Sequence, residues 1–310
     1  MKLNGVVAAS VIAVSAIGIY LAFSHAEADN AKTQGKVSGE ENGLASYAPD
    51  GVGVNKKGAR HVTYLDYNQA GIDKRYTASP ELTYEHVSKC EARKSFESFF
   101  LSNQSDPDSI FNSKKKLQGL SDLKRSYLEK DLKMMTDAKN ECAEWEELVD
   151  PQLAGQQLYG SALNASLAGD DNATACMMFE PWQLPDANSP DYKQLAAAFE
   201  SSASSLIDRG IANGNWKVVA ASVLAFRERT GLRALVPGND ATAYYYARLG
   251  QMGSYNDELA SSFGYDASNF ARLIAPAALE AAEAKAIHDY GAYFGSKKLT
   301  EEDITVRCGK

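Results

Sequence analysis

The sequence lacks the patterns that most often give an enzyme away. There is no G-x-S-x-G elbow and no H-E-x-x-H pair, and the two Ser-x-x-Lys tetrads, at Ser113 and Ser121, stand without the S-D-N and K-T-G elements that accompany them in penicillin-binding folds. Histidine is scarce, at four residues. The four cysteines, Cys90, Cys142, Cys176 and Cys308, lie dozens of positions apart. That spacing excludes the paired C-x-x-C arrangement of a zinc site, so no metal or cofactor is expected. Positive charge is also short. The formal net charge is −8, which argues against nucleic acid as a partner. Alternating strand-like stretches are nearly absent beyond "HVTYLDY" at 61–67, which reads as an extended segment laid on helices.

An even number of cysteines fits an oxidising compartment and two disulfides. If residues 84–102 and 120–148 fold back on each other, Cys90 and Cys142 face across the hairpin, which leaves Cys176 for Cys308.

The N-terminus supports export. Gly5 to Phe23 carries no charge, close to the ~20 residues that cross a bilayer as a helix. Ala26-Glu27-Ala28 has the small-x-small form a signal peptidase accepts. Residues 1–28 are therefore read as either a signal peptide or a membrane anchor. Lys2 before the apolar run places the N-terminus in the cytoplasm. Residues 29–60 are polar and aperiodic and read as a flexible linker. The expected location is the periplasmic side of a bacterial inner membrane, anchored there or released to the periplasm.

From residue 80 onward the apolar spacing is helical, so the expected class is all-α. One long helix is predicted over 120–149, with Leu120, Leu123, Tyr127, Met134, Ala138, Cys142, Trp145 and Val149 on its buried stripe. A second stripe runs from Tyr192 to Gly210 and a third from Trp216 to Phe226, joined at Gly214-Asn215. The same helix–turn–helix design occurs around Gly169-Asp170 and Gly253-Ser254. A last Ala-rich helix is predicted over about 267–294, kinked or restarted at Pro276, with His288 on its apolar face. Residues 61–150 form an extended segment and a helical hairpin, and 151–310 a repeat-like part packed with it as one domain.

The turn glycines 169, 214 and 253 are separated by 45 and 39 residues. Helix–Gly-Asp/Asn–helix units with small residues at packing positions resemble the tetratricopeptide-like and Sel1-like helical-repeat proteins over roughly 151–294. The diagnostic Trp, Gly, Tyr and Pro spacings of the tetratricopeptide repeat are not met, and an irregular helical bundle shares the same pattern. The resemblance implies stacked helix pairs and a role in protein interaction.

Three residues are expected to line a binding surface: Tyr245 and Arg248 from "YYYAR", and Trp216. The expected partner is a protein or peptide of the cell envelope, together with the membrane if the leader is retained. The competing expectation is a peptidoglycan-directed hydrolase using scattered carboxylates, with Glu97, Glu141, Glu180, Glu200 and Asp208 as candidates. "GDDNAT" at 169–174 offers calcium-type oxygens but reads more simply as helix capping. Arg227, Arg229 and Arg233 read as solvated surface.

Overall fold

A computed structural model describes residues 64–104, several positions between 118 and 138, residues 139–180 and 183–304, and Cys308. The leader and linker, residues 1–60, lie outside the described residues. Among those described, no helix is long and apolar enough to cross a membrane.

The fold is all-helical, with no strand among the described residues. Helix starts follow the capping residues. Ser79 precedes α1 (Pro80–Gln104), accepting from the Leu82 N–H. After the short α2 (Ala143–Leu148), Asp150 caps α3 (Pro151–Ala168) by accepting from Gln152 and Leu153 N–H. Gly169, at φ 127°, closes α3, and Asp170 caps α4 (Asp171–Phe179). Ser189 then Pro190 start α5 (Pro190–Ala212), and Asn215 caps α6 (Trp216–Glu228). Asn239 and Thr242 form a capping box on α7 (Asp240–Gly253), and Asn256 caps α8 (Asp257–Ala271). Pro276 occupies the first turn of α9 (Pro276–Asp289), which runs into a π-turn at Tyr290–Phe294, and α10 (Glu301–Ile304) follows.

Two predicted helices are corrected. The 120–149 stripe is not one helix. Residues 139–142 form a turn, with Cys142 donating its N–H to Ala138 O, and α2 starts afresh at Ala143. The predicted 267–294 helix is two. Residues 267–271 close α8, and Pro276 starts α9, because its ring and missing N–H suit a first turn and not an interior one.

The helices pack in sequence: α1 on α3, α3 on α4, α4 on α6, α6 on α7, and α7 on both α8 and α9, while α5 lies against α3, α4 and α6. One hydrophobic cluster runs from Tyr67 and Tyr84 through Trp145, Tyr159 and Phe199 to Phe263 and Phe294. Side chains joining consecutive turns fix the register. Asp171 accepts from Arg209 Nε at 2.8 Å and Asn213 Nδ2 at 2.6 Å, linking the α3–α4 turn to the end of α5. Cys90–Cys142 fastens α1 to the turn before α2, with 5.3 Å between Cα atoms. Cys176–Cys308 fastens α4 to the C-terminal tail at 5.5 Å. Gly253 O and Tyr255 N–H also pair with Leu299 of that tail.

Close approach of helices depends on missing side chains. A Cβ on Gly253 would run into the Trp216 ring, whereas one on Gly291 meets nothing within 4 Å. Gly253→Ala should therefore lose about 1–3 kcal/mol in urea unfolding, and Gly291→Ala should unfold within about 0.5 kcal/mol of the parent chain. Equal effects of the two changes would remove close packing from the account.

Candidate functional site

α3 carries an unusual row for a helix buried on nearly all sides. Gln157 and Asn164 are 0 % and 7 % exposed, yet both are amides. They lie seven residues apart, two turns of helix, and so share a face with Gly160 between them. A buried amide must find partners, or it costs about 1–3 kcal/mol. Here the partners are main-chain atoms of residues 65–70, a strap that follows no helix, and the Trp145 indole.

Asn164 holds Leu65 on both sides. Its Oδ1 accepts the Leu65 N–H at 2.7 Å, and its Nδ2 donates to Leu65 O at 2.8 Å. Gln157 Nε2 donates to Asn68 O and Ala70 O at 2.9 and 2.8 Å. Gln157 Oε1 accepts from the buried Trp145 indole at 2.7 Å, which fixes the amide's orientation. Between these clamps Tyr67 lies over Gly160, where a Cβ would come within 2.8 Å of its ring. The Tyr67 hydroxyl is hydrogen-bonded to Ser161 and Gln69, and burial pushes its pKa up to about 12. Exposure alternates along the strap as in a strand: Tyr64, Asp66 and Asn68 face out, while Leu65 and Tyr67 face in. The strap runs antiparallel to α3, since Leu65 meets Asn164 and Ala70 meets Gln157. Pro185, Asp191, Gln194 and Leu195 form the opposite wall. The extended segment expected from "HVTYLDY" is thus present over 64–69, while residues 61–63 lie outside the described residues.

This face holds the chain's own backbone: the Asn164 amide both accepts from the N–H and donates to the C=O of Leu65, a pairing that does not involve the Leu65 side chain. The strap turns at Gly71 (φ 75°) against Trp145 and Val149. A separate open hollow of about 520 Å³ lies at the α3 N-terminus, bordered by Asp150, Gln152, Gln183, Pro185 and Asp186.

The three residues expected at a binding surface are engaged elsewhere. Trp216 is buried, stacked on Phe294 at 3.9 Å between ring centroids and donating to Lys297 O. Tyr245 is buried and gives its hydroxyl proton to Asp289 Oδ2 at 2.7 Å. Arg248 is half-buried, with Nε on Glu283 at 2.9 Å and Nη1 on Gln251. All three tie α9 and the C-terminal tail to α6 and α7. Asp289 is the hub of this region, also meeting Lys285 and, at 2.9 Å, His288 Nδ1. Burial alone would raise its pKa. The hydrogen bonds from Lys285, His288 and Tyr245 outweigh that and hold it below the usual carboxylate value. His288 itself is 73 % exposed at its side chain, against the expected core position. α9 covers the core only through Ala282, Ala286 and Asp289, so the face bearing His288 is outward.

The candidate carboxylates are dispersed. Glu141 sits with Lys89 and His86 beside the Cys90–Cys142 bond. Glu180 caps the Arg233 N–H at 3.0 Å, and Glu200 is exposed on α5. Arg233 is not surface: it is buried and donates to Met178 O and Phe179 O at the end of α4, paired with Glu228. Asp170 caps α4, as the capping reading of "GDDNAT" expects. Among the described residues no group of three or more His, Cys, Asp or Glu is placed to hold a metal ion.

No family model, curated protein or solved structure matches this chain.

Sequence reasoning passed over Gln157 and Asn164. The helix carries four amides, Gln152, Gln156, Gln157 and Asn164, and only the interval of seven between Gln157 and Asn164 singles that pair out. Asn164→Leu should cost about 1–3 kcal/mol in urea unfolding by leaving the Leu65 peptide groups unpaired, and an unchanged midpoint would contradict the clamp. Asp289→Asn should destabilise by a similar amount at pH 7. A carboxylate with a depressed pKa contributes above its unfolded value, near 3.9, and loses that contribution as pH falls through its folded value. The gap between parent and variant should therefore shrink below pH 4, and a gap constant from pH 7 to pH 3 would assign Asp289 no charged role.

Proposed function

We propose that this chain is an exported helical interaction module, tethered to or released from a bacterial inner membrane through residues 1–28, that contacts protein or peptide segments in the cell envelope. The observation that carries the reading is the α3 face, which already grips an extended segment through main-chain atoms. An all-helical surface with that chemistry suits recognition of another unfolded stretch. Two disulfides, one near each end of the described chain, fit an oxidising compartment. The succession of capped hairpins at Gly169, Gly214 and Gly253 supports the helical-repeat reading. Asn213 and Asn215 of the second turn reach Asp171 and Asn172 of the first, as stacked units require. The Cys90–Cys142 and Cys176–Cys308 bonds then act as staples that keep the stack closed around a fixed α3.

A photo-crosslinking residue placed at Asp66, on the exposed edge of the strap, tests this in intact cells. The expected result is a discrete adduct with one or a few envelope proteins, absent when the same residue replaces Glu200 on α5. The same adduct ladder at both positions, or none at Asp66, would overturn the interaction reading.

A further inference from the structure

α9 is the last long helix of the chain, packing on α7 and on the π-turn that follows it. The end helix of a helical array turns a polar face to solvent, because no further unit covers it. α9 does not. It reaches the core through Ala282, Ala286 and Asp289. On the opposite side Ala277, Ala284 and Gly291 form an exposed line at intervals of seven, two turns apart. Glu280 and Ile287 flank that line on one side and His288 on the other. All three flanking residues are exposed, Ile287 at 55 %. A Cβ on Gly291 would meet nothing within 4 Å, so crowding inside the chain does not explain the small residues. They leave room for a helix outside it, at the short end of the about 8–10 Å range of interaxial distances.

The polar flanks decide which helix fits. Lay a second α9 antiparallel on the first, with a two-fold axis passing at Ala284. Ala284 then meets Ala284, Ala277 meets Gly291, and Glu280 comes level with His288 of the other copy. Small residues face small ones along the whole line, and the symmetry sets acid against base twice. A parallel pairing would set Glu280 against Glu280 and His288 against His288. His288 is already oriented for the antiparallel one, since Asp289 accepts from its Nδ1 at 2.9 Å and leaves Nε2 for an outside partner. The same arrangement buries both Ile287 side chains. We propose that the outward face of α9 is a self-association surface, on which a second copy of this chain packs its own α9 antiparallel about a two-fold axis at Ala284. One helix pair is smaller than the about 1,200–2,000 Å² of a standard interface, so the dimer is weak, with a Kd on the order of 10 μM. No residue of the strap or of α3 takes part, so this inference stands or falls separately from the interaction reading above.

The test uses the full-length, oxidised chain in a non-ionic detergent. Sedimentation equilibrium over about 1–200 μM should show a monomer–dimer transition. Ala284→Arg changes a position that faces away from the core, and should raise Kd at least about a hundredfold. Glu280→Lys should raise it about tenfold, because the two-fold axis repeats the repulsion against His288. Circular dichroism should stay unchanged in both variants. Disulfide trapping with copper–phenanthroline then reads the register. Ala284→Cys should give a covalent dimer, since its two Cα atoms come within about 7 Å. Ala277→Cys alone should give none, because its two copies sit about 21 Å apart. Ala277→Cys mixed with Gly291→Cys should give one. A chain that stays monomeric over this range, a dimer that survives Ala284→Arg, or equal trapping of Ala284→Cys and Ala277→Cys would overturn the proposal. So would trapping of Ala284→Cys on a different protein in intact cells, which would give the face another occupant.

Discussion

A stretch of extended chain lying on helices has no neighbouring strand to satisfy its peptide groups, and helix backbones have no donors or acceptors to spare along their sides. The amides of Asn164 and Gln157 solve this by serving as a substitute edge. Each is buried, and each has its hydrogen-bonding capacity taken up by atoms far away in sequence. Much of the N-terminal half follows from that arrangement. Trp145 must come close enough to orient Gln157, which places α2 beside α3. Gly71 must turn the strap against Trp145 and Val149, where a side chain would crowd both. Cys142, just before α2, is then held to α1 by its disulfide.

The C-terminal half solves a different problem with different means. Its helices are amphipathic and meet through glycines: Gly210 against Val218, Gly250 against Phe263, Gly253 against Trp216. Between them lie charged groups used as rivets. Arg233 neutralises the carbonyl end of α4, a placement the helix dipole favours. Asp289 gathers Tyr245, Lys285 and His288 and so draws α9 onto α7. These contacts make a backing for α3 through α4 and α6. The strap belongs to the same core, through Tyr67 and Leu65 as well as the amide hydrogen bonds.

Helix class and the hairpin turns were legible because they depend on local features: a period of 3.6, a glycine at the end, and Asp, Asn or Ser at the start. Gly169-Asp170 and Gly214-Asn215 behave as such features should, while at the third turn Ser254 ends α7 and Asn256, two residues on, caps α8. What was misread depends on distance. The stripe at 120–149 continues in phase across a turn at 139–142, and nothing local marks the break. Tyr245 and Trp216 looked like recognition residues by type, but their burial is decided by α9 and the tail, which arrive from far along the chain. Arg233 looked like surface for the same reason. The strap's clamps were invisible because the sequence of α3 shows four amides without saying that residues nearly a hundred positions earlier will need two of them.

The account stands on whether Leu65 is held by Asn164 in solution. Amide hydrogen exchange of the full-length, oxidised protein, resolved at residue 65, measures this directly. The Leu65 N–H should exchange at least about a hundredfold more slowly than in an unstructured peptide of the same sequence, and Asn164→Leu should remove that protection while the α6 and α7 amides keep theirs. Exchange at the unstructured rate in the parent chain would show that the strap is not bound, and the amide clamp would go with it.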